Sequence, residues 1–394
     1  MIRAAIQLPP GADVRTLLDS LVSNAIARGV SDIHVEPIAD ACEIRFREDG
    51  LLRTEMSVSS EIGRSVALRL MVLGHLLTYR LDVPQEGRAS VHHDGREVEL
   101  RISIMPTIHG LRAAVRLPTA AAPRELERLG LDEAILRNLY RFARADTGML
   151  IVTGPAGSGK TTTIYALLAY LAAHSPGSSI VSLEDPVERA IPGVTQIEVK
   201  PFGQLTYEKA LRSILRQDPQ ILMLGEIRDA ATAQLALQAA MTGHRLITTL
   251  HASTAPGAIA RLLEMGVESY QVTNAVWGVL GQRLFRKIVP TGLPLQRQAF
   301  PPPLPSPVRL RSPQAGVTGE RENSSQRYAG RAAIGELLLM DGDLRRVILS
   351  GGDLARLEEV AELQPGFVPM RQRVEQLIAQ GLTDQNEFDR VFGG

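Results

Sequence analysis

The stretch Gly154-Pro155-Ala156-Gly157-Ser158-Gly159-Lys160-Thr161 fits the phosphate-loop pattern GxxxxGK[ST] at every fixed position. Its glycines let backbone N–H groups close around a polyphosphate, and the start of the following helix adds a favourable dipole. In such a loop the lysine neutralises the β- and γ-phosphates, and the Thr161 hydroxyl reaches Mg²⁺. The motif needs a strand before it and a helix after it. The sequence supplies an apolar run from Met149 to Val152 and a helix-like run from Thr162 to Ala173. The expected nucleotide contacts are therefore Gly154, Pro155, Ala156, Gly157, Ser158, Gly159, Lys160, Thr161 and Thr162. An ordinary Gly-rich turn is the competing reading, and the strand-and-helix setting argues against it.

Phosphoryl transfer to water needs positioning and charge neutralisation more than covalent help. A carboxylate must orient or polarise the attacking water. Glu226 is the first candidate, because it follows an apolar run and Gly225; the alternative is a surface glutamate paired with Arg228. Glu184 is the second, reaching the metal through its water shell. Asp185 and Glu188 share its acidic run, and Asp185 also suits the turn before Pro186. His251 would sense the γ-phosphate or bridge an acidic loop, although a lone histidine at a strand end is often structural. Arginines in such sites are worth about 10³–10⁵ in rate, roughly 4–7 kcal/mol. Arg101 and Arg116 lie on the polar faces of earlier strands, where spacing alone favours a solvated face.

A scaffold must bring these groups together. Leu150–Thr153, Ile180–Leu183, Ile221–Leu224 and Leu246–Leu250 are nearly continuous apolar runs alternating with helical stretches. That is the pattern of a parallel sheet covered on both faces. In such a sheet the carboxyl ends of the strands lie along one edge, where ligands bind. The runs lead in turn into the phosphate loop, Glu184–Glu188, Gly225–Asp229 and His251, so all four would deliver chemistry to that edge.

The first 117 residues read differently. Val14 to Ala27 and Ile62 to Leu77 have helical periodicity. Cys42, Ile44 and Phe46 alternate with charged residues, and Val98, Leu100, Ile102 and Ile104 share one strand face. Asp49-Gly50 and Asp94-Gly95 are hairpin turns. These features predict a small α+β domain with an antiparallel sheet. A linker at 118–130, beginning with the Pro/Ala run Pro118–Pro123, would join it to a second domain at 131–394. Residues 290 to 313 carry 8 of the 24 prolines, and the segment 290–327 reads as a mobile excursion. Beyond it, in 328–394, helices are expected at Glu336–Leu339, Leu344–Leu349, Met370–Ala379 and Asp384–Val391.

Composition narrows the function classes. With 394 residues, two or three domains are expected. The 43 basic and 43 acidic residues cancel, which gives no support to a nucleic-acid partner. Cys42 is the only cysteine, so an intrachain disulfide and a four-cysteine zinc site are excluded. No apolar run approaches the length of a membrane span, and the start lacks a secretory apolar core. Cytoplasmic residence is the default expectation.

Taken in order, the motifs resemble the secretion ATPases of bacterial type II systems and type IV pilus assembly, the GspE/PilB family. Ser31-Asp32-Ile33-His34-Val35-Glu36-Pro37 is similar to that family's SDIHxEP signature, followed by Arg47–Gly50 and Pro84–Arg88. The phosphate loop, the EDPxE box at Glu184–Glu188, Leu215–Pro219, the Walker B-like Gly225–Asp229 and Thr249-Leu250-His251 come next. Gln282-Arg283-Leu284, Gly330-Arg331 and Glu336-Leu337-Leu338 complete the match. The resemblance implies an α/β fold in which a PAS-like α+β domain precedes a RecA-like P-loop ATPase domain, with nucleotide between them. It also implies a homo-hexamer that works with ATP and Mg²⁺ on an inner-membrane platform protein, peripheral to that membrane. It assigns Arg101 and Arg116 to the phosphates, reversing the reading from spacing.

Two departures stand out. The family's paired CxxC motifs after QRL are replaced here by Val289-Pro290 and the proline-rich stretch, so no zinc is expected. The sequence also begins close to Ser31–Pro37, so docking through an extra N-terminal domain is not expected. The competing functions are a pilus-retraction ATPase and a nucleotide-binding regulatory subunit without turnover.

Overall fold

A computed structural model of the chain describes residues 13–93, 95–117, 125–199, 205–288 and 328–393. The Pro118–Pro123 run, Asp94 and the 290–327 excursion lie outside the described residues. Internal contacts divide the chain into two units, Met1–Ala122 and Pro123–Gly394.

The first unit contains α1 (Val14–Ala27), β1 (Asp32–Pro37), β2 (Cys42–Glu48), β3 (Leu51–Val58), α2 (Ser60–Leu73), β4 (Gln85–His93), β5 (Arg96–Thr107) and β6 (Gly110–Arg116). Its sheet has the order β3-β2-β1-β6-β5-β4 and is antiparallel throughout. Alternation does the sorting. Ile33, Val35, Ile44, Phe46, Leu100, Ile102, Ile104 and Val115 form a core with Leu18, Leu21, Val66, Leu70 and Met71 of the helices. Asp49 and Gly50 both take positive φ, as a tight hairpin turn requires. α2 occupies Ser60–Leu73 rather than Ile62–Leu77, because Ser59 caps its start and Gly74 ends it. Helix and sheet are in intimate contact: a Cβ on Gly63 would lie 2.3 Å from the Cys42 Cβ. The lone cysteine is thus a packing residue, and burial pushes its thiol up to about 11.

The second unit opens with a 3₁₀ turn at Leu126–Leu129 and α3 (Glu133–Ala143). It continues through β7 (Gly148–Thr153), α4 (Lys160–His174), β8 (Ile180–Glu184), β9 (Thr195–Glu198), α5 (Tyr207–Ile214), β10 (Ile221–Leu224), α6 (Ala230–Met241) and β11 (Arg245–Leu250). α7 (Ala255–Glu264), α8 (Ser269–Ala275), β12 (Val276–Ile288), β13 (Tyr328–Leu339), α9 (Gly342–Leu349), α10 (Leu354–Leu363), α11 (Met370–Ala379) and α12 (Gln385–Phe392) follow. The seven strands lie in the order β13-β12-β7-β11-β10-β8-β9, parallel except for the antiparallel β12–β13 pair.

The apolar runs of the central strands follow from burial on both faces. Met149 and Ile151 of β7 enter the core under α5 to α10, while Leu150 and Val152 enter the one under α3 and α4. Three strands, β9, β12 and β13, join the four expected. Glu336–Leu339, expected to be helical, is instead the end of strand β13, paired from Gly278↔Leu339 to Ile288↔Tyr328. A short apolar run does not distinguish a buried strand from a helix. In β12, Gly278, Gly281, Gln282, Arg283 and Arg286 interrupt the apolar pattern that marks the other strands. Among the described residues, no helix is long and apolar enough to cross a membrane.

Candidate functional site

Register sets the site. Thr153 at the end of β7 pairs with Leu250 of β11 on one side and Gly281 of β12 on the other. Leu224 of β10 pairs with Thr248 and with Leu183 of β8. The loop after Thr153, Gly225-Glu226, Glu184-Asp185 and His251 therefore leave the sheet at one edge, as a parallel sheet demands. Hydroxyls stitch that edge: Thr249 Oγ1 donates to the Gly225 carbonyl at 2.7 Å, and Thr153 Oγ1 accepts from the Ala252 N–H at 3.0 Å.

The phosphate loop is held between β12 and its own helix. Gly154 has φ 146°, and a Cβ there would lie 2.3 Å from the Gln282 carbonyl oxygen, so no other residue fits. Lys160 Nζ donates to the carbonyls of Gly154 at 2.8 Å and Pro155 at 2.9 Å. Burial lowers the Lys160 pKa, and the negative charge of Glu226 partly restores it. Ser158 Oγ is buried with no hydrogen-bond partner among the described residues. Thr161 and Thr162 stand in the first turn of α4.

Glu226 is held from two sides. Arg228 bonds one carboxylate oxygen, and His251 Nε2 lies 3.1 Å from the other. Arg228 also reaches Asp185, 3.8 Å away. The Arg228 pairing weighed as the alternative for Glu226 is thus present, in a cluster beside Lys160 rather than on an isolated surface. Glu184 is only 3% exposed. Its carboxylate accepts from Tyr165, from Ser182 Oγ at 2.5 Å and from Gln196 Nε2 at 3.1 Å. Tyr165 in turn accepts the Glu188 N–H at 3.1 Å, so Glu184 pins the acidic run to α4.

Arg101 and Arg116 belong to the first unit. They are directly paired across β5 and β6, with Arg116 Nε 3.2 Å from Asp32 Oδ1 and Arg101 Nε 4.0 Å from Glu99. The structure brings these two together on the polar face of their sheet, and separately gathers Lys160, Glu184, Glu226 and His251 in the second unit.

Sequence reasoning assigned no role to three polar side chains. Tyr165 orients Glu184. Tyr207 lies over Gly225, its hydroxyl 2.8 Å from where a Gly225 Cβ would stand, and burial next to Asp185 and Glu226 raises its pKa strongly. Gln282 touches the loop itself. Tyr165 offered a signal in its position one turn beyond Lys160. Gln282 stood in the Gln282-Arg283-Leu284 motif without a role, and Tyr207, from a segment distant in sequence, offered no signal.

The arrangement suits a nucleotide. An ammonium folded onto its own loop, an unpartnered hydroxyl and a helix N-terminus form a cradle for polyphosphate. Among the described residues, no group of three or more His, Cys, Asp and Glu could hold a metal. The Thr161 hydroxyl, in the first turn of α4, is a side chain that could coordinate a hard cation together with nucleotide oxygens.

Residues 10–390 match the family model described as Type II/IV secretion system protein. The chain is 38% identical over 388 residues to the Type II secretion system ATPase E of Vibrio cholerae, covering 96% of this chain and 75% of that one. It is 35% identical over 376 residues to the Type IV pilus assembly ATPase PilB of Thermus thermophilus, covering 93% and 42%. Among solved structures, the ATPase DotB of Yersinia pseudotuberculosis shares the fold with a TM-score of 0.73 at 20% identity, over 99% of this chain and 96% of that one.

Proposed function

The chain belongs to the type II/IV secretion system protein family, and from that premise we propose that it is a Mg²⁺-dependent ATPase. It would act as a homo-hexameric ring at the cytoplasmic face of the inner membrane, powering assembly of a type II pseudopilus or a type IV pilus through a platform protein. The observation that carries the reading is the shared sheet edge, where a complete phosphate loop meets Glu226 and His251.

Each residue has work in this reading. The loop N–H groups and Lys160 bind the β- and γ-phosphates, with Lys160 leaving the Gly154 and Pro155 carbonyls to do so. Mg²⁺ supplies Lewis-acid neutralisation of the phosphates when bound. Glu226 orients the attacking water once Arg228 releases one of its oxygens. His251 holds the other oxygen and carries the state of the γ-phosphate to its strand. Glu184 positions the acidic run and would meet a bound Mg²⁺ only through water. Arg101 and Arg116 supply positive charge during transfer, an assignment that rests on family resemblance.

Glu226→Gln keeps the shape and removes the charge. Steady-state ATP hydrolysis should fall by about 10²–10⁴-fold while nucleotide still binds. Unchanged hydrolysis would remove Glu226 from the mechanism. A deletion strain should lose secreted protein or surface pili; surplus surface pili would instead indicate retraction.

A further inference from the structure

Gln282 is buried inside the sheet, 1% exposed, one residue beyond the Gly281 that pairs with Thr153. A neutral amide in such a place must satisfy both of its ends. Here both ends meet the phosphate loop or its helix. Nε2 donates to the Ser158 carbonyl at 2.8 Å, and Oε1 accepts from the Thr163 hydroxyl at 2.8 Å. A carbonyl only accepts, so the amide nitrogen must face Ser158 and the oxygen Thr163. The loop also rests on this residue at both ends. A Cβ on Gly154 would meet the Gln282 carbonyl oxygen, and one on Gly159 would lie 2.8 Å from Nε2.

A phosphate loop works only when its carbonyls turn away from the ligand and its N–H groups turn inward. The geometry points to Gln282 as a positioning residue that sets this orientation: it holds the Ser158 carbonyl outward and ties it to the first turns of α4 through Thr163. The inference rests on the nucleotide reading of the loop and adds the β12 side chain that shapes it. Gln282 touches no phosphate and acts through the loop backbone. Its loss should therefore appear in nucleotide affinity and KM more than in kcat at saturation.

The amide makes a distinctive demand that its isostere can test. Gln282→Glu keeps the acceptor for Thr163 but sets a carboxylate against the Ser158 carbonyl when ionised. Protonation restores a donor. Gln282→Leu offers neither group at any pH. Calorimetric titration with ADP and Mg²⁺ across a pH series reads the difference, each variant taken as a ratio to the wild-type chain at the same pH.

A lost buried hydrogen bond that strands a carbonyl predicts about a tenfold weaker ADP affinity for both variants at neutral pH. Gln282→Glu should recover toward the wild type as pH falls, and Gln282→Leu should not. Thr163→Val, which removes only the donor to Oε1, should weaken ADP severalfold and covers the case in which a Gln282 variant fails to fold. Wild-type affinity in all three variants, or a pH response shared by Glu and Leu, would overturn the inference alone. No ADP binding by the wild-type chain would overturn the nucleotide reading, and this inference with it.

Discussion

Lys160 is a charge kept in a place that disfavours charge. Burial lowers its pKa from the ordinary 10.5, while the carboxylate of Glu226 and the carbonyls of Gly154 and Pro155 support the ammonium. A bound polyphosphate would favour the protonated form far more strongly. Nucleotide affinity is thus full below the lowered pKa of Lys160 and falls as pH rises through it, a value under 10.5. Titrating ADP against alkaline pH should show that fall in the wild type, and Lys160→Ala should bind weakly with no such fall. This residue and its loop were legible in sequence because the motif is contiguous and its conformation is local. Glu184 was legible only as an acid on a strand end. Its burial under Tyr165, Ser182 and Gln196 depends on contacts the spacing does not encode.

The elements that carry the site differ in how they declare themselves. α1 and α11 occupy the residues their periodicity predicts, Val14–Ala27 and Met370–Ala379, since one apolar stripe against one core leaves a plain signature. β12 and β13 do not. β12 combines glycines that admit close neighbours, the amide that meets the loop and arginines that meet the C-terminal helices, so no single period survives. One of those arginines supports a prediction at this scale. Glu387 of α12 is fully buried and paired with Arg286 and Arg390. Burial works to raise its pKa, but the hydrogen bonds from Arg390 and Arg286 outweigh it and hold the carboxyl below the ordinary 4.5. That stability is present above 4.5 and lost as pH falls through the depressed value. Arg286→Ala removes one partner from a buried carboxylate and should cost about 3–5 kcal/mol in denaturant unfolding. It should also flatten the acid side of the stability profile. An unchanged unfolding midpoint would show that Arg390 alone suffices.

At the scale of the molecule, the two units have separate cores and separate kinds of sheet. The contrast between the two sheets was visible in the sequence, because alternating strands and continuous apolar strands are different patterns. In the proposed ring, charge for phosphoryl transfer would come from more than one surface, with Arg101 and Arg116 as the contribution of the first unit. Replacing either with alanine should lower hydrolysis by about 10³-fold or more while leaving ADP bound, if the arginines act in the transition state. If assembly completes an ATP-hydrolysing site built on the Gly154–Thr161 loop, as proposed, the decisive experiment is Mg²⁺-ATP hydrolysis measured against protein concentration, with Lys160→Ala alongside. The predicted result is a specific activity that rises with concentration and vanishes in the variant. Tight ATP binding with no hydrolysis at any concentration, or equal hydrolysis by Lys160→Ala, would contradict it.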